Sequence, residues 1–294
     1  MSRYIDLRTD FGFKRLFGRE DSKDILKQFL FDILELTHPI QDLTYIPVEQ
    51  LGASPGDRRG VYDVYCTDAA GQRFIVEMQQ VRQVNIKESA LYYSTFAINY
   101  QARRGSEWQF NLLPVYCIAV LDFSLIEGEE DDPRYFRRVQ LADCETNQMF
   151  YDKLTFIYIE LTKFNQPLSE ATAADKWIYL LKNLPELQNI PAELATEPFT
   201  DAFAIAEEAA LSPEERYYYE GSLKHARDIN AQIAFARQEG REEALQEGLA
   251  AGREEQSMVI VRAMAARGLP PAEISALTGI AESIVRKALE GSSS

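Results

Sequence analysis

Asp63, Glu77 and Gln79 lie close together in the chain and have side chains that could cooperate in hydrolysis. Cleaving a phosphodiester needs a nucleophilic water, relief of negative charge on the phosphate and stabilisation of the leaving oxygen. A divalent cation held by two carboxylates can serve all three needs. Asp63 and Glu77 are therefore candidates both for catalysis and for holding a metal, and Gln79 is a third catalytic candidate. A glutamine carries no charge and cannot act as a base, so Gln79 can contribute only by orienting water or phosphate through hydrogen bonds. Its alternative reading is an ordinary polar strand residue. The two histidines, His38 and His225, are too few for a histidine-rich site, and Cys66, Cys117 and Cys144 are too far apart in sequence for a zinc cluster. A cation would rest on carboxylate oxygens, which suits hard ions such as Mg2+ or Mn2+.

These residues need a scaffold that makes them converge. Val61 to Thr67 and Arg73 to Gln79 read as strands joined by Asp68-Ala-Ala-Gly71, a sequence with hairpin-turn chemistry. Side chains alternate along a strand, so Val61, Asp63, Tyr65 and Thr67 are expected on one face, and Arg73, Ile75, Glu77 and Gln79 on one face of the next. One register of the hairpin puts Asp63 beside Glu77 and Gln79, with Val76 and Met78 turned the opposite way toward a packed helix. Carboxylates on half-buried strands are costly unless paired or bound to metal. Around the hairpin, Asp24 to Leu36 has apolar residues at helical spacing, residues 40–48 read as a strand, and Asn85 to Arg103 reads as a long helix. Leu113 to Phe123 is a nearly continuous apolar run, as expected of a strand covered on both faces. Leu154 to Leu161 is a further strand.

The 294 residues, with 46% hydrophobic and 26% charged side chains, suffice for a sizeable core. No run approaches the ~18 apolar residues of a membrane span, and charges interrupt the N-terminus before any signal-like apolar segment. With the odd, scattered cysteines, this predicts a cytoplasmic protein with no membrane partner. The net charge of −15 is unevenly spread: residues 1–126 hold 14 Lys/Arg against 16 Asp/Glu, and residues 127–294 hold 17 against 30. The acidity therefore belongs to the C-terminal half, and no long basic stripe advertises a nucleic-acid surface.

Composition and periodicity divide the chain into a core over 1–165, a helical extension over 166–235 broken at prolines, a polar acidic helix or hinge over 236–256, and a small unit over 257–290. In the last unit Ile274-Ser-Ala-Leu-Thr-Gly279 and the following Ile280 to Val285 fit a helix-turn-helix spacing, with Pro270 and Pro271 opening the first helix. Two readings stand for this unit, a DNA-binding module or a small bundle for self-association. The second of its helices offers only Arg286 and Lys287 against Glu282 and Glu290, which favours the bundle. The expected partners are thus DNA and further copies of the chain, meeting through the C-terminal helices.

Four segments together resemble a known family. Thr9-Asp-Phe-Gly-Phe-Lys-Arg-Leu-Phe17, Arg59-Gly-Val-Tyr-Asp-Val-Tyr65, Gly71-Gln-Arg-Phe-Ile-Val-Glu-Met-Gln79 and Ala90-Leu-Tyr-Tyr93 are similar to the Rpn family, the recombination-promoting nucleases of the PD-(D/E)XK superfamily, often described as transposases. The similarity is specific from about residue 5 to 125 and looser beyond. It implies an α/β fold: a restriction-endonuclease-like core with a central mixed sheet flanked by helices, followed by a helical C-terminal region. It also implies a divalent-metal-dependent DNA endonuclease of low sequence specificity, linked to recombination. Asp63, Glu77 and Gln79 match the active-site positions, with Gln79 standing where the superfamily has lysine. Asp10 and Lys14 match the N-terminal motif; their plainer readings are a helix cap and a surface lysine. Arg58, Arg59 and Lys87 are candidate DNA-backbone contacts by position. The glutamine and the acidic tail also allow a different protein, a catalytically weak or inactive nuclease fold that binds partners and self-associates through its helices.

Overall fold

The computed structural model describes residues 2–46, 62–102, 109–129 and 131–290. Arg58 and Arg59 lie outside the described residues. The chain divides into two compact units, 1–227 and 228–294.

The first unit is built on a six-stranded mixed sheet of order β1-β2-β3-β4-β6-β5. Its strands are β1 (Leu43–Tyr45), β2 (Val64–Asp68), β3 (Arg73–Gln79), β4 (Val115–Leu121), β5 (Phe136–Ala142) and β6 (Met149–Glu160). β1, β2 and β3 pair antiparallel, β3, β4 and β6 run parallel, and β5 returns antiparallel on β6. The β2–β3 hairpin forms as its turn chemistry requires. Gly71 adopts φ +84°, and the Asp68 carboxylate accepts the Gln72 N–H at 2.8 Å. The parallel β3–β4 pair needs a crossover, supplied by helix α3 (Ile86–Asn99).

Strand alternation divides the core into two layers. Val64, Cys66, Phe74, Val76, Met78, Ile118, Val120, Ile157 and Ile159 meet α1 (Asp10–Phe17), α2 (Lys23–Leu34), α4 (Ala173–Asn183) and α5 (Phe199–Ala206). Tyr65, Ile75, Cys117, Ala119, Phe156 and Tyr158 pack on the other face with Ile86 and Ala97 of α3. Val76 and Met78 thus lie in the layer opposite Ile75, as alternation predicts. The expected strand over residues 40–48 is only three residues long, and α3 stops at Asn99. β5, not foreseen, has four of its seven residues exposed and lacks a strong period-two signal.

α1 has a close-packed start. Thr9 caps it by accepting the Gly12 N–H, so the cap is Thr9 and Asp10 is the first helical residue. This corrects the reading of Asp10 as the cap. A Cβ on Gly12 would sit 2.2 Å from the Asp6 carbonyl oxygen, so only glycine fits in this Asp-Phe-Gly-Phe segment.

A 54-residue helix, α6 (Pro213–Ala266), begins in the first unit and ends in the second. In the second unit, α7 (Pro271–Thr278) ends at Gly279 with φ 74° and is followed by α8 (Glu282–Glu290). Val261, Ile274 and Val285 form its buried core. Among the described residues, no helix is long and apolar enough to cross a membrane.

Candidate active site

The C-terminal end of β3 carries Glu77 and Gln79 on the α3 side of the sheet. Glu77 lines a small cavity with Ile75, Ala90, Tyr93, Cys117 and Tyr158, and among the described residues it brings the only carboxylate to that lining. One carboxylate oxygen, Oε2, accepts from the Gln79 side-chain N–H at 3.2 Å. The other, Oε1, is buried and has no hydrogen-bond partner among the described residues. Burial pushes the Glu77 carboxyl up to about 7, and the neighbouring Asp63 charge adds to the rise against the lowering effect of the Gln79 hydrogen bond. The Gln79 amide is oriented in turn, because its oxygen accepts from the Gln83 side chain at 3.1 Å.

Asp63 reaches this place differently from the expectation. β2 begins at Val64, and Asp63 occupies the bend just before it. The expected strand from Val61 is therefore shorter at its start, and alternation does not aim Asp63. Its carboxylate is held instead by a hydrogen bond from the Met78 backbone N–H to Oδ2 at 2.7 Å. The other oxygen, Oδ1, lies 3.8 Å from Lys14 Nζ, and the side chain is 18% exposed. Burial raises the Asp63 carboxyl above its usual range, opposed by the Met78 hydrogen bond and by Lys14.

Lys14 also pairs with Asp10 at 2.6 Å, one helical turn back on α1. The structure therefore gathers Asp10, Lys14, Asp63, Glu77 and Gln79 from three places in the chain. Lys87 is not drawn in: it is exposed on the first turn of α3, with no hydrogen bond or ion pair to these residues.

A second polar pair, absent from the sequence reading, borders the site. Asp122 directly follows β4, its backbone N–H donates to the Gln79 carbonyl at 3.0 Å, and its carboxylate lies 3.6 Å from Arg8. Arg8 also pairs with Asp6 at 2.9 Å, and its carbonyl accepts a hydrogen bond from the Gln80 side chain. The signal for Asp122 was present as the first charge after the apolar run Leu113 to Leu121. In sheets with parallel strands, the carboxyl ends of those strands are where ligands bind.

A family model described as PD-(D/E)XK nuclease family transposase matches residues 7–236. That span contains the whole sheet and every side chain of the site. The chain belongs to the PD-(D/E)XK nuclease family transposases. No curated protein and no solved structure matches it. The mixed sheet with helices on both faces agrees with the α/β fold expected of a PD-(D/E)XK nuclease, and the long helical C-terminal region follows it as expected.

The donors at a PD-(D/E)XK site can be tested against a metal ion. Among the described residues, no three His, Cys, Asp or Glu side chains converge on one point. That does not conflict with magnesium, which keeps several waters and is commonly held by one or two carboxylates plus substrate phosphate. The unpartnered, buried Glu77 Oε1 beside the Asp63 carboxylate is the chemistry a hard cation satisfies. The residues present fit such an ion.

Proposed function

We propose that this chain is a divalent-metal-dependent endonuclease that hydrolyses phosphodiester bonds in DNA with low sequence specificity, and that the cleavage serves DNA recombination. One observation carries the reading: half-buried Glu77, at the carboxyl end of a central strand and near a second carboxylate, has a buried oxygen with no hydrogen-bond partner among the described residues. An uncompensated arrangement of this kind costs stability and is retained where it binds something.

Asp63 and Glu77 would hold the cation, Mg2+ or Mn2+, which when bound supplies charge relief at the phosphate and a more acidic water. The protein's own groups set the stage for it. The Met78 N–H fixes the Asp63 carboxylate, Gln79 fixes Glu77, and Gln83 fixes Gln79. Lys14 brings positive charge to the side of Asp63 where a phosphate would stand, and Asp10 holds Lys14. Gln79 adds hydrogen bonding but no charge, so among the described site residues Lys14 is the side chain that would offset transition-state charge beside the bound cation.

The test is nicking of supercoiled plasmid in Mg2+ or Mn2+. Asp63→Ala and Glu77→Ala are each expected to lower the rate at least about a hundredfold. Undiminished cleavage by both variants sinks the assignment.

A second reading has its own observation. Phe235, Leu245 and Leu249 are exposed on α6, which supports self-association through the C-terminal helices, with or without cleavage. Sedimentation of the full chain tests it: a monomer at all concentrations removes that part.

A further inference from the structure

A groove of about 1170 Å³ lies between α1 and the first turns of α6, and its walls include Asp10 and Lys14 on one side and Tyr217, Tyr218, Lys224 and His225 on the other. These walls are fixed to each other. The Asp6 backbone N–H donates to the buried Tyr219 hydroxyl at 2.8 Å, and the Phe11 N–H donates to the Ser222 hydroxyl at 3.3 Å. Glu215 accepts from both Arg15 and Arg19. Lys14 belongs to groove and site alike, because its ammonium lies 3.8 Å from the Asp63 carboxylate. A strand whose phosphate rests beside Asp63 and Glu77 has this groove as its continuation.

The groove's chemistry is unusual for a phosphate-binding channel. Arg15 and Arg19 are engaged by Glu215 and Lys14 by Asp10. Lys224 has no ion pair among the described residues, yet Glu214 and Glu220 also line the walls. The net field is therefore weak, and a duplex presenting phosphates from two strands gains little here. What the walls offer instead is aromatic surface. Tyr217 is 74% exposed and Tyr218 58%, with ring centroids 5.9 Å apart and planes at 72°. Two neighbouring rings held open on a rigid helix suit flat partners of any sequence. Nucleobases present such faces only when they are out of the duplex stack.

We propose that this groove seats unpaired nucleotides of single-stranded DNA, stacked on Tyr217 and Tyr218 and leading to the carboxylates through Lys14. The proposal rests on the nuclease reading and sharpens it: the preferred substrate has a single-stranded segment beside the cut, as in a gap, a flap or a frayed end.

The experiment uses the full chain in metal-free buffer, where binding is separated from cleavage. Fluorescence anisotropy is recorded with a fluorescein-labelled single-stranded oligodeoxynucleotide and with the same strand annealed to its complement. The single strand is expected to bind at least about tenfold more tightly than the duplex. The double variant Tyr217→Ala/Tyr218→Ala is expected to lose at least about tenfold in single-strand affinity, while Tyr217→Phe/Tyr218→Phe keeps it. Both tyrosines are exposed, so an unchanged melting temperature checks that the variants fold. Equal affinity for the two probes, or unaltered single-strand binding by the alanine variant, overturns the proposal. Plasmid nicking by the wild type separates the two failures. Nicking without tyrosine-dependent binding removes the groove and leaves the nuclease. Tyrosine-dependent binding without nicking upholds the groove and removes the nuclease.

Discussion

Two glutamates sit near the carboxyl ends of parallel strands in the same sheet and meet opposite fates. Glu160 ends β6 with its side chain 0% exposed, yet both of its oxygens are engaged. Arg137 pairs with Oε1 at 2.8 Å, Lys163 lies 3.0 Å from Oε2, and the Leu125 N–H donates to Oε2 at 2.9 Å. Burial pushes the Glu160 carboxyl up, but these three partners outweigh it, and it lies below the usual carboxylate range. Glu77 receives one hydrogen bond, from a neutral amide, and rises to about 7. Burial alone does not mark a functional carboxylate. The feature that sets Glu77 apart is a buried oxygen left without a partner among the described residues.

The largest effect should come from the compensated member. Glu160→Ala strands the buried Lys163, whose ion pair among the described residues is with Glu160, and removes one of the three carboxylates paired with Arg137; breaking a buried pair in this way costs about 3–5 kcal/mol. Urea denaturation should show that loss, with nicking per folded molecule retained; a variant as stable as wild type would mean that Glu160 is no more a structural charge than Glu77. Next in size is Glu77→Gln, which keeps shape but removes the charge. Nicking is expected to fall about a hundredfold while metal-free stability holds or rises. A large loss of stability together with activity would erase the contrast.

The pH dependence of metal-free stability sharpens the comparison, because the two carboxylates have opposite signs. The folded value of Glu77, about 7, lies above its ordinary 4.5. Its contribution is therefore fully present below pH 4.5 and is lost as pH rises through 7. Glu160 is shifted downward, so its contribution is present above pH 4.5 and is lost as pH falls through its lowered folded value. Thermal melts in chelator should thus fall between pH 5 and 8 for the wild type and flatten in Glu77→Gln. An unchanged slope in that variant would assign the dependence to other groups. The smallest expected effect is that of Gln79→Lys. A lysine there would add a charge beside Glu77 and is expected to raise nicking by about tenfold and to lower the Glu77 pKa. A slower or unchanged enzyme would show that the site is built around the amide.

Much of this contrast was hidden in the sequence, although the elements around it were not. The Asp-Ala-Ala-Gly turn and the alternation of Arg73 to Gln79 sufficed for the β3 strand and for the shared face of Glu77 and Gln79, because a strand's period is local. The apolar run through Val115 to Leu121 sufficed for a strand covered on both sides. Asp63 was found by type and position, but the reason for its placement was misjudged: it lies outside the strand and is aimed by the Met78 N–H. β5 escaped notice because an edge strand with exposed side chains carries little periodic signal.

The sequence by itself determined which residues could form a metal-binding pair, which family they resemble and which strands would carry them. Those properties depend on residue type and on repeats of two or four positions. The tertiary structure alone decided which charges are answered. Lys14 reaches Asp63 from a helix far earlier in the chain, Arg137 and Lys163 surround Glu160, and among the described residues no such group reaches Glu77 Oε1. Whether a buried charge is compensated depends on contacts between distant segments, which short-range sequence patterns do not encode.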